Sequence, residues 1–154
     1  MIRGLKMGII NIVKTIKEIH KTDLVLVRIG KFYHAYGKDS YILSYLFGYQ
    51  LKTLEDVSMC GFSETGLNKV ISNLEQKKIN YLIVDRRNNY DVQEVFDNKN
   101  LNEYTKIFEK AKVYIKYKNR IDNIYNYMMN NIEKEDFKNL LNEMEKIINE
   151  RRKV

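Results

Sequence analysis

Proline is absent from the 154 residues, so no helix is interrupted by a fixed φ and no Pro-rich spacer divides the chain. Cysteine occurs once, at Cys60, which excludes an internal disulfide. One thiol and two histidines make no recognisable metal set. Such sparing use of cysteine points to an intracellular, cytoplasmic protein. No apolar run approaches the roughly 18 residues needed to cross a bilayer, so no membrane partner is expected. The N-terminal "MIRGLKMGIINIVKTIKEIHK" has an apolar face broken by lysines and lacks a small-residue cleavage site. It reads as a helix rather than a signal peptide. A Gly-x-x-x-x-Gly-Lys-Ser/Thr loop is missing too: Gly30-Lys31 runs into Phe32 and Gly37-Lys38 into Asp39, so no ATP is expected. Without a Ser/His/Asp set or paired carboxylates, the reading is a protein without catalysis and without a cofactor.

What is present suffices for a core. The hydrophobic share is 44%, and the length suits one domain with an appendage. The net charge of +7 favours a polyanionic partner only weakly. Ile9, Val13, Ile16 and His20 recur at helical spacing and predict an amphipathic helix over about residues 7–21; His20 on its apolar side is read as structural. "TDLVLVRIG" predicts a strand covered on both faces. Asp39-Ser40 is expected to cap a short helix closed by Gly48. "YQLK" (49–52) and "VSMCGF" (57–62) predict two strands joined by "TLED", with Cys60 as buried filler rather than a nucleophile. From Ser63, the spacing of Leu67, Val70, Ile71 and Leu74 predicts a helix. "YLIVD" (81–85) predicts a buried strand, and "YDVQEVF" (90–96) an edge strand after the turn "RRNN". The alternation gives an α/β (α+β) domain over residues 1–100: a mixed β-sheet flanked by helices.

From Leu101 the texture changes. Leu101, Tyr104, Phe108, Ala111 and Ile115 repeat at heptad-like intervals, followed by Ile121, Ile124, Tyr125, Met128 and Ile132. Phe137, Leu140, Leu141, Met144 and Ile148 carry the pattern on. Residues 101–154 therefore predict an all-helical extension of about three helices, with a break near "NNIEKED".

Two blocks carry a resemblance. "IKEIHKTDLVLVRIGKFYHAYGKDS" is similar to a helix, a strand and an Arg/Lys-x-Gly-x-Phe-Tyr-Glu-x-Phe/Tyr run. "MCGFSETGLNKVISNLEQKKINYLIVD" is similar to a Met-x-Gly-aromatic step, a helix and a closing strand. In order and spacing, residues 9–97 resemble the N-terminal, mismatch-binding domain I of the MutS family of DNA mismatch repair proteins, here without the family's clamp and ATPase. The resemblance implies a mixed sheet that enters the minor groove of a kinked, distorted duplex. Phe32 stands at the position of the family's wedging ring, which unstacks an already weakened base step. His34 replaces the family's base-contacting glutamate, and an imidazole donates, accepts or carries charge where a carboxylate only accepts. Mismatch specificity is therefore left open. Lys31 replaces an acidic position and tilts the loop toward phosphate attraction. Stand-alone relatives of the module look like accessory proteins of mobile elements, including companions of reverse transcriptases.

Each candidate has a plainer reading. Phe32 is either a groove-facing ring or a core aromatic, and His34 either an exposed base reader or a half-buried histidine. Tyr33 is assigned to the core and Tyr36 to a structural role. Arg28, Lys31 and Lys38 are candidate phosphate contacts. In "KAKVYIKYKNR", Lys112, Lys116 and Arg120 align on one helix face and either track a backbone or form a solvated face. Gly61 and Gly66 flank a helix start that suits an anion or merely a turn. Two rivals to DNA binding stand beside it: an interaction module whose helical tail docks on a protein partner or a second copy, and, less favoured, an RNA binder or nuclease-like fold. For the latter, aromatics and lysines would serve single strands, but no metal-chelating carboxylate cluster supports cleavage.

Overall fold

The computed structural model describes residues 8–153. Met7, where the first predicted helix opens, and the segment before it lie outside the described residues. The helix itself, α1, spans Ile9–Ile19 and turns Ile10 and Val13 inward. After it come β1 (Leu24–Ile29), β2 (Phe32–Tyr36), α2 (Lys38–Phe47), β3 (Lys52–Leu54) and β4 (Val57–Ser63). A single 3₁₀ turn leads into α3 (Leu67–Gln76), followed by β5 (Tyr81–Asp85), β6 (Asp91–Phe96), α4 (Tyr104–Asn130) and α5 (Phe137–Arg152). Among the described residues, no helix is long and apolar enough to cross a membrane.

The six strands form one mixed sheet in the order β3-β4-β2-β1-β5-β6. Only β1 and β5 run parallel, with Leu24 opposite Tyr81 and Arg28 opposite Asp85. These two strands sit inside the sheet, which is why both read as unbroken apolar runs. Leu24, Leu26, Tyr33, Ala35, Tyr81 and Ile83 face a core closed by Ile42 and Leu43 of α2, Val70 and Leu74 of α3, and Tyr104 and Ala111 of α4. Val25, Val27, Tyr36, Leu82 and Val84 face the other way, onto Ile10 and Val13 of α1. Cys60 is buried on the first face, and burial pushes its thiol up to about 12.

Three expectations are corrected. Asp39 does not cap α2: Gly37 holds that position and no side chain caps the helix. The carboxylate turns inward instead and is fully buried. It accepts from Val25 N (3.0 Å), Lys17 Nζ (3.0 Å) and Tyr104 Oη (2.5 Å), a set of donors that offsets the loss of water. Burial pushes its pKa up against the pull of Lys17, Tyr104 and the Val25 amide. The strand expected at 49–52 forms at Lys52–Leu54, because Tyr49 and Leu51 pack on the first core. Among the described residues beyond 101 the helices number two, separated over residues 131–136.

The chain divides into two compact units, Met1–Ile115 and Lys116–Val154. The first holds the sheet together with Tyr104, Ala111 and Ile115, all buried. The second comprises the rest of α4 and α5.

Candidate nucleic-acid interface

The β1–β2 hairpin closes through two residues, Gly30 and Lys31, with Ile29 paired to Phe32. Gly30 has a φ of +63°, a conformation that strains any residue carrying a Cβ. Lys31 has no positive φ. A left-handed first position alone is the pattern of a type II′ turn, whose twist matches the strands it joins. The tip is tied down from a third side, since the Glu64 N–H donates to the Lys31 carbonyl at 2.8 Å. Arg28 Nε also donates to the Gly30 carbonyl at 3.2 Å.

Side chains alternate from this fixed tip. Tyr33 points into the first core, stacked on Phe62 with ring centroids 5.6 Å apart, and Phe62 stacks in turn on Tyr49. Phe32, His34 and Tyr36 share the opposite face. Tyr36 is buried there, whereas the Phe32 ring is 54% exposed. Phe32 belongs to an interior strand, between Ile29 of β1 and Ser63 of β4. Its backbone is held on both sides while its ring meets solvent.

His34 is half-buried. Its Nδ1 shares a 3.3 Å hydrogen bond with the Tyr36 hydroxyl, and its ring lies against Gly61, its cross-strand partner. A Cβ on Gly61 would stand 2.7 Å from His34 Cδ2, so the missing side chain makes the room for the imidazole. Burial, and then the charge of Lys52, hold the His34 pKa below 6.5. The ring is therefore neutral at neutral pH and offers hydrogen bonding rather than charge.

The cations divide by position. Arg28 lies on the Tyr33 side, its guanidinium 5.9 Å from that ring and 3.5 Å from Glu64. Together with Lys31 it lines a cavity of about 570 Å³ at the hairpin end, which also takes in Asp85, Arg87 and Asn88. Lys38 stands past the other end of β2, with its Nζ 5.1 Å from the Phe108 ring. Lys112 is paired with Glu109 at 3.0 Å. Lys116 and Arg120 belong to the second unit and are exposed. The structure thus gathers Arg28, Lys31, Phe32 and His34 around one hairpin, and does not bring Lys38 to it. Gly61 and Gly66 serve packing against His34 and the turn into α3.

Two arginines escaped the reading of the sequence. Arg86 and Arg87 follow β5, and the parallel pairing of β5 with β1 carries them to the hairpin end. Arg86 acts on the Tyr36 phenol, and Arg87 lines the cavity. Among the described residues, Lys31, Lys52, Arg86 and Arg87 have no carboxylate within salt-bridge distance. The available signal was two consecutive arginines at the end of a buried strand, hidden because "RRNN" also reads as a turn.

The half-exposed Phe32 ring thus stands beside a hairpin turn whose backbone is fixed. A family model, MutS domain I, matches residues 7–115. The chain belongs to the MutS domain I family. Its sheet unit is therefore a module of the mismatch-recognition type, a DNA-binding class, and the match ends where the first compact unit ends. A comparison with curated proteins gives no match. The MutS domain I core is followed here by the helical unit from Lys116. Among the described residues, no three His, Cys, Asp or Glu side chains are grouped to hold a metal ion.

Proposed function

We propose that this MutS domain I protein binds distorted or mismatched duplex DNA without catalysing a reaction, inserting Phe32 at a weakened base step. The observation that carries the reading is the half-exposed Phe32 ring on an interior strand whose backbone is fixed on both sides. A ring wedged between bases repays unstacking of a few kcal/mol only if its mount does not yield. Lys31, Lys52, Arg86 and Arg87 supply attraction to phosphates, with Arg28 partly engaged by Glu64. His34, in place of an acidic reader, presents a neutral ring already bonded to Tyr36, which favours recognition of deformability over recognition of a particular mispair.

Gel-shift titration of plain, mismatched and bulged duplexes tests this. The wild type binds the bulged and mismatched duplexes more tightly, and Phe32→Ala removes that preference while keeping plain-duplex binding. Arg87→Ala weakens all three alike and lowers the salt slope by about 1. Equal affinities for wild type and Phe32→Ala on every duplex would overturn the wedge.

A further inference from the structure

Among the described residues of the second unit, not one side chain is buried. Helices of about 15 residues are marginal in water without a packed face, and each helix here carries an apolar stripe that is open at several positions. On α4, Tyr117, Ile121, Ile124, Tyr125 and Met128 fall within one stripe of about 100°. Ile121 is 63% and Ile124 53% exposed. On α5, Phe137, Leu140, Leu141, Met144, Ile147 and Ile148 form a second stripe, with Ile147 57% exposed. Six of these side chains are open: Tyr117, Ile121, Ile124, Tyr125, Ile147 and Ile148. At about 100 Å² each they offer roughly 600 Å², below the roughly 800 Å² per partner of a standard interface and in the range of a weaker, concentration-dependent dimer.

The charges indicate what covers them. Lys116 and Arg120 open the unit, Lys118 between them being paired with Asp122 at 2.9 Å, and Arg151, Arg152 and Lys153 close it. Glu133, Glu135 and Asp136 outweigh Lys134 at the turn between the helices, about 21 Å along either helix from those basic ends. An apolar stripe does not suit phosphates, and a parallel copy would set like charges together. In an antiparallel two-fold pairing, the acidic turn of each copy meets the basic ends of the other, twice over. We infer that the second unit is a self-association surface: two copies pair antiparallel through the apolar stripes of α4 and α5, with charge setting the direction. This rests on no part of the DNA reading.

Sedimentation velocity of the full chain, without nucleic acid and across about 1–100 µM, tests it. The expected result is a concentration-dependent dimer. Ile121→Lys with Ile124→Lys is expected to weaken it by at least about 100-fold. A second pair of variants guards against a helix that merely fails to form. Glu133→Lys/Glu135→Lys and Lys116→Glu/Arg120→Glu each weaken self-association about tenfold, and mixing them restores it as a heterodimer. A wild type that stays monomeric overturns the inference, as does a trimer or larger assembly. So does a mixture that associates no better than either variant alone.

Discussion

At the scale of single residues, His34 and Phe32 divide the work of one sheet face. His34 is held below its ordinary pKa by burial first and by Lys52 second. The unfolded chain takes up that proton near pH 6.5 and the folded chain only at lower pH, so the stability His34 provides is full above about 6.5 and is lost as the pH falls through its folded pKa. Urea midpoints at about pH 7.5 and 5.5 are expected to differ more for the wild type than for His34→Gln; equal differences would remove His34 from the acid response. Phe32 behaves oppositely. Because its ring is half in water, Phe32→Ala is expected to lower the unfolding free energy from urea titration by no more than about 1 kcal/mol. The sequence made Tyr33 legible as a core position, and Tyr36 as a structural one through its match to a family aromatic; strand alternation in fact sets Tyr36 on the face of Phe32 and His34. It left Phe32 and His34 undecided, because alternation assigns a side chain to a face without saying whether that face is covered at that point. Arg86 and Arg87 were out of reach for another reason: the parallel pairing that moves them spans some 55 residues of chain, from β1 to β5.

Among the elements, the two parallel interior strands β1 and β5 were the most legible, whereas interior β2 carries no unbroken apolar run and was not expected as a strand. β5 occupies Tyr81–Asp85, the residues of the apolar run itself, since a strand covered on both faces has nowhere to place a polar side chain. The edge was harder. β3 and β4 meet through Glu55 and Asp56, with φ of +50° and +64°, a two-residue turn of the kind that favours Asn-Gly. Glu-Asp carries no such signal, while Tyr49 and Leu51 imitate a strand although their packing on the core is a loop's. A left-handed residue bearing a Cβ costs about 1–2 kcal/mol, part of which the flexible unfolded state of glycine returns. Asp56→Gly is accordingly expected to raise stability by about 0.5–1 kcal/mol, read as a higher urea midpoint at unchanged slope. A lower midpoint would mean that the Asp56 side chain contributes more than its backbone costs.

For the whole molecule, the first turns of α4 decide where the sheet unit can be cut. Their heptad-like spacing reads as the start of a tail, yet Tyr104, Ala111 and Ile115 are buried in the first unit. Tyr104 also donates to Asp39, whose remaining donors are Lys17 and the Val25 amide. Asn102 anchors the approach: its Oδ1 accepts from Asn80 N and Tyr104 N, and its Nδ2 donates to the Thr22 carbonyl. Ending the chain after Asn100 removes all of this together. A buried carboxylate left short of a donor costs about 1–3 kcal/mol, and opening the side of the core beneath Tyr104 and Ala111 adds about 1.5–3 kcal/mol for each large apolar side chain exposed. That total is comparable to the whole stability of a small domain, about 5–15 kcal/mol. Residues 1–115 are therefore expected to unfold in one cooperative step with near-UV ellipticity from the stacked tyrosines, whereas residues 1–100 lose both. A 1–100 fragment with the urea midpoint of 1–115 would show that α4 rests on the sheet without holding it together.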